Sequence, residues 1–213
     1  MKKICVTVIF GDYDELKEPT HVNKDWKYYV ISDRHHKSNV WKTKLIKDEK
    51  VKKLTNKLKT GYVVSQLHKI VDYDLAILVG GQIQINANLD NYTNLETDFV
   101  ATEHPTRQCV YDEGFACIML DKDNPKRIAS TLYRYKTDGL PMNAGMIQTG
   151  VTIRRNTKEF NDFCNKWWIE ICRGSHRDQL SFNYVNWKTP IKYEVLPVNI
   201  FNNEFRLCNH KLD

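Results

Sequence analysis

The chain has 213 residues, a length that suits one domain with a substantial buried core. Hydrophobic residues make up 41% and charged residues 27%, a globular mixture that excludes intrinsic disorder, and no apolar run approaches the ~18 residues of a membrane span. Lys and Arg number 32 against 26 Asp and Glu; the net charge of +6 suits a polyanion, either nucleic acid or a phosphorylated small molecule.

After Met1-Lys2-Lys3, the short β-branched run Ile4–Phe10 leads into Gly11-Asp12-Tyr13-Asp14. No small-residue cleavage site follows, so the run reads as a first strand over 3–10 and not as a signal peptide. Further strands are expected at 27–32, 75–79, 98–103, 146–154 and 191–198, all rich in Val, Ile, Tyr, Phe or Thr. A helical pattern runs through 49–71, with Gly61 as its break, and two more helices are expected at 109–120 and 125–136. The second of these opens with Asn124-Pro125, an N-cap followed by proline at the first helical position. In the helix at 157–173, Asn156 and Glu159 have the spacing of a capping box, and Phe160, Phe163, Cys164, Trp167, Trp168 and Ile171 form a core-packing stripe. Strands alternating with helices predict an α/β fold with a mainly parallel sheet, in one domain over 1–213, and such sheets bind ligands at the carboxyl ends of their strands.

The six cysteines form no C-x-x-C pair, which argues for reduced, mostly buried thiols and against a zinc site. There is no G-x-G-x-x-G and no Walker motif, which excludes the common dinucleotide and P-loop architectures. The first strand ends in Phe10-Gly11-Asp12-Tyr13 and the second in Ile31-Ser32-Asp33, so two adjacent ends would offer an aromatic face and carboxylates to a base. Eight lysines lie between 42 and 59; most read as a solvated face, with Lys57 or Lys59 able to reach a phosphate. The cluster lacks the interleaved aromatics of a base-stacking nucleic-acid groove. Leu75–Ile85 reads as a buried strand that ends in Gly80-Gly81-Gln82. Arg107 can meet Asp112, Glu113 or a ligand oxygen. Asp178 falls in the first turn of a helix, where it either complements the helix dipole or contacts a sugar or a proton.

The order of these motifs, with His104-Pro105-x-Arg107, Gly150-Val151-x-Ile153-Arg154-Arg155 and Arg177-Asp178-Gln179-Leu180-Ser181-Phe182, resembles small glycosyltransferases of the A-type nucleotide-sugar fold. These occur in bacteria, plants and large DNA viruses, among them the N-terminal domain of a chlorella-virus glycosyltransferase acting on capsid-protein glycans. The resemblance implies a central mainly parallel, mixed sheet flanked by helices. It also implies metal-dependent transfer, with Mn²⁺ or Mg²⁺, of a hexose or deoxyhexose from a UDP-sugar to a glycan or glycoprotein acceptor.

Carried over residue by residue, Phe10, Gly11, Asp12, Tyr13, Ser32 and Asp33 hold the uridine, and Lys57 and Lys211 face the phosphates. Arg107, Gln148, Thr149 and Gly150 meet the sugar. Asp178 and Gln179 carry catalysis near the anomeric centre. His210 and Gln82 join the metal, and Gly80 stands at the metal-motif position where such enzymes carry an aspartate. Glycine brings no side-chain oxygen, which a hard cation requires. Asp72 or Asp74 would then be the substitute ligand, or the chain would be a nucleotide-sugar binder without turnover. A nucleic-acid-binding protein is the further rival, suggested by charge alone. The reading expects a monomer in the cytoplasm (the host's, if viral), with no nucleic acid and no membrane span.

Overall fold

The structure is a computed structural model and describes residues 1–211, the side chain of Asn202 apart. Four parallel strands begin the sheet: β1 (Lys3–Ile9), β2 (Trp26–Ser32), β3 (Lys42–Leu45) and β4 (Leu75–Gly80). β6 (Phe99–Glu103), β7 (Ile147–Arg155) and β8 (Glu194–Leu196) complete it, in the order β3-β2-β1-β4-β7-β6-β8, with β7 antiparallel to both β4 and β6. A separate ribbon pairs β5 (Ile83–Ile85) with β9 (Phe205–Leu207). The expected α/β architecture with a mixed, mainly parallel sheet is present. β3 was not anticipated: Lys42-Thr43-Lys44-Leu45 is a poor core strand, but it lies at the sheet's edge, where lysines are tolerated.

β1 is apolar on both faces, as a central parallel strand must be. Ile4, Val6 and Val8 join one core, and Cys5 and Ile9 the other. The first core is closed by α2 (Asn56–Gln66), α3 (Val110–Met119), α4 (Pro125–Thr137), α5 (Lys158–Arg173) and α6 (Asp178–Lys188), with the short α1 (Glu49–Lys52) at its margin. Trp167 of α5 is fully buried among Phe99, Phe163 and Phe182, so its role is packing, worth about 3–5 kcal/mol against alanine. The second core is closed by Trp26, Tyr28 and Trp41, by Ile83 and Phe205 of the ribbon, and by Ile200 of α7 (Ile200–Asn203).

Two local expectations are corrected. Gly61 does not break the helix. The interruption precedes Thr55, which caps α2, and Gly61 lies inside it because an added Cβ would come within 3.2 Å of Ile171 on α5. The cap of α5 is Thr157, whose Oγ1 accepts from Phe160 N at 3.3 Å, and not Asn156. The Asn156 amide instead donates to Tyr73 O at 2.9 Å. Asn124 does cap α4, accepting from Arg127 N at 3.2 Å with Pro125 at the first helical position. All six cysteines are free thiols, four of them buried.

Candidate active site

Because β1 to β4 are parallel, their carboxyl ends share one edge of the sheet. The chain winds outward on both sides of β1, so the switch point falls between β1 and β4, where such sheets open a crevice. At the end of β1, Gly11 adopts φ +64°, and an added Cβ would lie 2.7 Å from Asn56 Nδ2; only glycine makes this exit without strain. Gly11 N donates to both carboxylate oxygens of Asp33 at 3.2 Å, which fastens the end of β1 to that of β2.

Above these ends lies a cleft of about 650 Å³ lined by Phe10, Ser32, Asp33, Leu45, Ile46, Lys47, Lys52 and Lys59. Lys59 Nζ stands 5.8 Å from the centre of the Phe10 ring. Three of the residues expected at a base, Phe10, Ser32 and Asp33, are thus brought together. Lys57 is not with them: it donates to Lys122 O at 2.7 Å, in the turn between α3 and α4. Lys59, one helical residue pair further along, takes the place at the cleft, as do Lys47 and Lys52 of the lysine-rich stretch.

Asp12 and Tyr13 turn toward the other side of the β1 exit. Asp12 pairs with Arg34, whose hydrogen bond and charge hold the carboxyl below the usual aspartate range, and Lys211 Nζ lies 3.9 Å away. The Tyr13 ring packs against His210 with centroids 4.3 Å apart. A second cleft of about 220 Å³ opens here, lined by Asp14, Glu15, Leu16, Arg34, His36, Lys37 and Lys211. Sequence reasoning passed over Arg34 and His36, yet His36 Nε2 lies 2.9 Å from Ser32 Oγ. Burial, then the charge of Arg34, lowers the His36 imidazole below its ordinary value.

At the end of β4 two glycines stand side by side. An added Cβ on Gly80 would meet only Ile83 Cδ1 at 3.7 Å and Gly150 O at 3.8 Å, ordinary contacts. On Gly81 it would lie 2.7 Å from Asp14 Oδ2 and 2.9 Å from Val8 O. Asp14, 9% exposed, therefore fills the space over Gly81, and its Oδ1 is 2.6 Å from His210 Nδ1. The tail reaches this point because β9 pairs with β5, Cys208 N donates to Gln82 O at 2.9 Å, and Lys211 N donates to Tyr13 O at 3.1 Å.

Asp72 and Asp74 are excluded as substitutes. They precede β4, at the far end of the strand, and are engaged by Lys2. Among the described residues no group of three or more His, Cys, Asp or Glu converges as a self-sufficient metal cage. The His210 imidazole and the Asp14 carboxylate meet here, and the Gln82 backbone is tied to Cys208 two residues before His210; these donors would suit a Mn²⁺ or Mg²⁺ ion that drew its remaining ligands from phosphate and water.

The residues expected at a sugar come from the segment after β6 (Arg107), from β7 (Gln148, Thr149 and Gly150) and from the start of α6 (Asp178 and Gln179). β7 runs against β4, so its first residues lie at the same sheet edge. Asn183 Nδ2 of α6 is 3.5 Å from Ala144 O, which seats α6 beside the loop entering β7. Asp178, the first residue of α6, is half-buried, and its carboxylate has no hydrogen-bond partner among the described residues. Gln179 accepts from Arg177 at 2.8 Å. The Gln148 side-chain oxygen is buried without a partner, whereas the missing side chain of Gly150 leaves room for Phe201 and Ile83. Arg107 is committed internally: its NH1 lies 2.9 Å from Glu113 Oε2, and the same oxygen is 3.2 Å from His104 Nε2. His104 Nδ1 accepts from Arg107 N at 3.1 Å, so its Nε2 carries the proton given to Glu113. Burial pushes the Glu113 carboxyl up, but hydrogen bonds from His104 and Cys117 and the Arg107 charge outweigh it, leaving the group below the ordinary glutamate range.

The family model described as TOD1/MUCI70, glycosyltransferase-like domain, matches residues 32–210. That span begins at the last residue of β2 and includes β4, α6 and His210, but not Phe10–Asp14. No curated protein matches the chain.

Proposed function

As a member of the TOD1/MUCI70 glycosyltransferase-like domain family, to which the match over residues 32–210 shows that it belongs, this chain is, we propose, an A-type enzyme moving a hexose or deoxyhexose from a UDP-sugar to a glycan or glycoprotein acceptor. The observation that carries this reading is the cleft at the ends of β1, β2 and β3, with an aromatic wall at Phe10, polar groups at Ser32 and Asp33, and three lysines at its rim. In this reading uracil rests against Phe10, Ser32 and Asp33 bond its edge or the ribose, and Lys59 faces the diphosphate. The unpartnered Asp178 carboxylate stands ready to take a proton from the acceptor or to bind a sugar hydroxyl. Gln179 and Gln148 supply amide groups to the same sugar.

The Mn²⁺ or Mg²⁺ we assign to His210 and Gln82 would supply Lewis-acid stabilisation of the leaving diphosphate. Lys59 and Lys211 add fixed positive charge at the phosphates. We place the enzyme in the cytoplasm as a monomer; the six free thiols agree with a reducing compartment, and no described helix is long and apolar enough to cross a membrane. A nucleotide-sugar binder without turnover is the second reading, favoured by Gly80. The test is thermal stabilisation by UDP, GDP and CMP, since a ligand raises the stability of the state it binds. UDP should stabilise most; equal shifts for all three would remove the uridine assignment. Hydrolysis or transfer of a UDP-sugar separates the enzyme from the binder.

A further inference from the structure

We infer that Asp14, from the loop after β1, is the carboxylate that serves the divalent cation, in the place left by Gly80 at the end of β4. The inference rests on the nucleotide-sugar reading and adds a ligand to it. A hard cation held by substrate phosphates usually takes one or two carboxylates from the protein as well. β4 supplies none, since Gly80 and Gly81 both lack side chains.

Three aspartates, Asp12, Asp14 and Asp33, follow β1 and β2 at this end of the sheet. Asp12 is neutralised by Arg34, with Lys211 at 3.9 Å. Asp33 accepts from Gly11 N with both oxygens at 3.2 Å. Asp14 is turned to Gly81, the residue after Gly80: its Oδ2 comes within 2.7 Å of the position that a Gly81 Cβ would occupy, and its hydrogen bond to His210 uses the other oxygen. Asp14 also lines the second cleft, so this oxygen is open to a cation that enters there.

The other oxygen of Asp14 does complementary work. Oδ1 faces His210 Nδ1 at 2.6 Å; in the tautomer this contact selects, Nδ1–H donates to the carboxylate and the lone pair stands on Nε2, the arrangement that metal-ligating histidines use. One side chain thus presents an anionic oxygen beside Gly81 and fixes the tautomer of the histidine. Gly81 is required in this design because any side chain on it would displace the Asp14 carboxylate.

The test is calorimetric titration of UDP into the full chain with and without Mn²⁺. Mn²⁺ should tighten UDP binding in the natural chain. In Asp14→Asn that gain should fall by about 10-fold or more, with metal-free UDP affinity unchanged. Adding Gly80→Asp to Asp14→Asn, which returns a carboxylate to the end of β4 at a position where a Cβ makes only ordinary contacts, should restore it. If Asp14→Asn lowers the melting temperature too far to be read, His210→Gln, near the end of the chain, must show the same loss. Retention of the full Mn²⁺ gain in either single variant overturns the inference, and so does UDP binding in the natural chain that is indifferent to Mn²⁺; both leave the nucleotide cleft standing. Failure of the natural chain to bind UDP at all overturns the proposed function and this site with it.

Discussion

Asp14 and His210 are 196 residues apart in the sequence and 2.6 Å apart in the fold. The contact is made by two devices that neither residue controls. The β5–β9 ribbon carries the tail back to the sheet, and Gly81 leaves room for a side chain from the loop after β1 to enter at the end of β4. The crevice at the switch point is therefore closed by the last described residues of the chain. Tyr13 against His210 and Lys211 N bonded to Tyr13 O hold that closure.

Lys59 and Lys57 should separate cleanly in binding. Lys59→Ala should weaken UDP binding by about 10-fold, the worth of one charge-assisted hydrogen bond to phosphate. Lys57→Ala removes only the bond to Lys122 O and should leave UDP affinity unchanged. Titration calorimetry reads both, and the reverse ranking would move the phosphate site to the turn between α3 and α4.

Asp178→Asn keeps the shape of a half-buried side chain and removes its charge. Turnover of a UDP-sugar should fall by ~10²-fold or more while UDP affinity holds. If instead the melting temperature drops and specific activity stays, Asp178 serves the dipole of α6 and nothing else.

The two glycines after β4 should differ in tolerance. Gly80→Ala adds a methyl at ordinary contact distance and should be near-neutral. Gly81→Ala meets Val8 O at 2.9 Å, a backbone atom that cannot step aside, as well as Asp14, and should cost about 1–3 kcal/mol. Chemical denaturation of the two variants side by side decides it; equal stabilities would mean that Asp14 does not occupy the space over Gly81.

Glu113 makes stability pH-dependent. Its folded carboxyl titrates lower than in the unfolded chain, so the unfolded state binds the extra proton first. The contribution is complete above the unfolded value, near pH 4.5, and is lost as pH falls through the folded value. Glu113→Gln should lower the melting temperature at pH 7 and flatten its decline on acidification. Circular dichroism melts from pH 7 to pH 3 provide the comparison, and parallel curves for the two chains would show that Glu113 is not the group responsible.

Much of this protein is local in origin. Strand and helix periods lie in the sequence because each side chain needs only to know which face of its own element is buried. That is enough for β1, β2, β4, β6, β7 and the helices through α6. The aromatic and acidic ends of β1 and β2 are likewise marked by glycine and aspartate at Phe10–Asp12 and Ser32-Asp33. Partnership is not local. Lys57 and Lys59 are two residues apart and both look suited to a phosphate; the 100° turn per helical residue sends one to Lys122 and the other to Phe10. From the sequence Arg107 can meet Asp112, Glu113 or a ligand oxygen; the fold of α3 selects Glu113. Asp14 carries no mark beyond being the second aspartate of Gly11-Asp12-Tyr13-Asp14, and its value depends on two glycines from β4 and a histidine from the tail. The sequence determines where the strand ends lie. Which charges meet at them is decided by the tertiary fold, because charges separated by the whole chain interact only after the sheet and ribbon have brought them within a few ångströms.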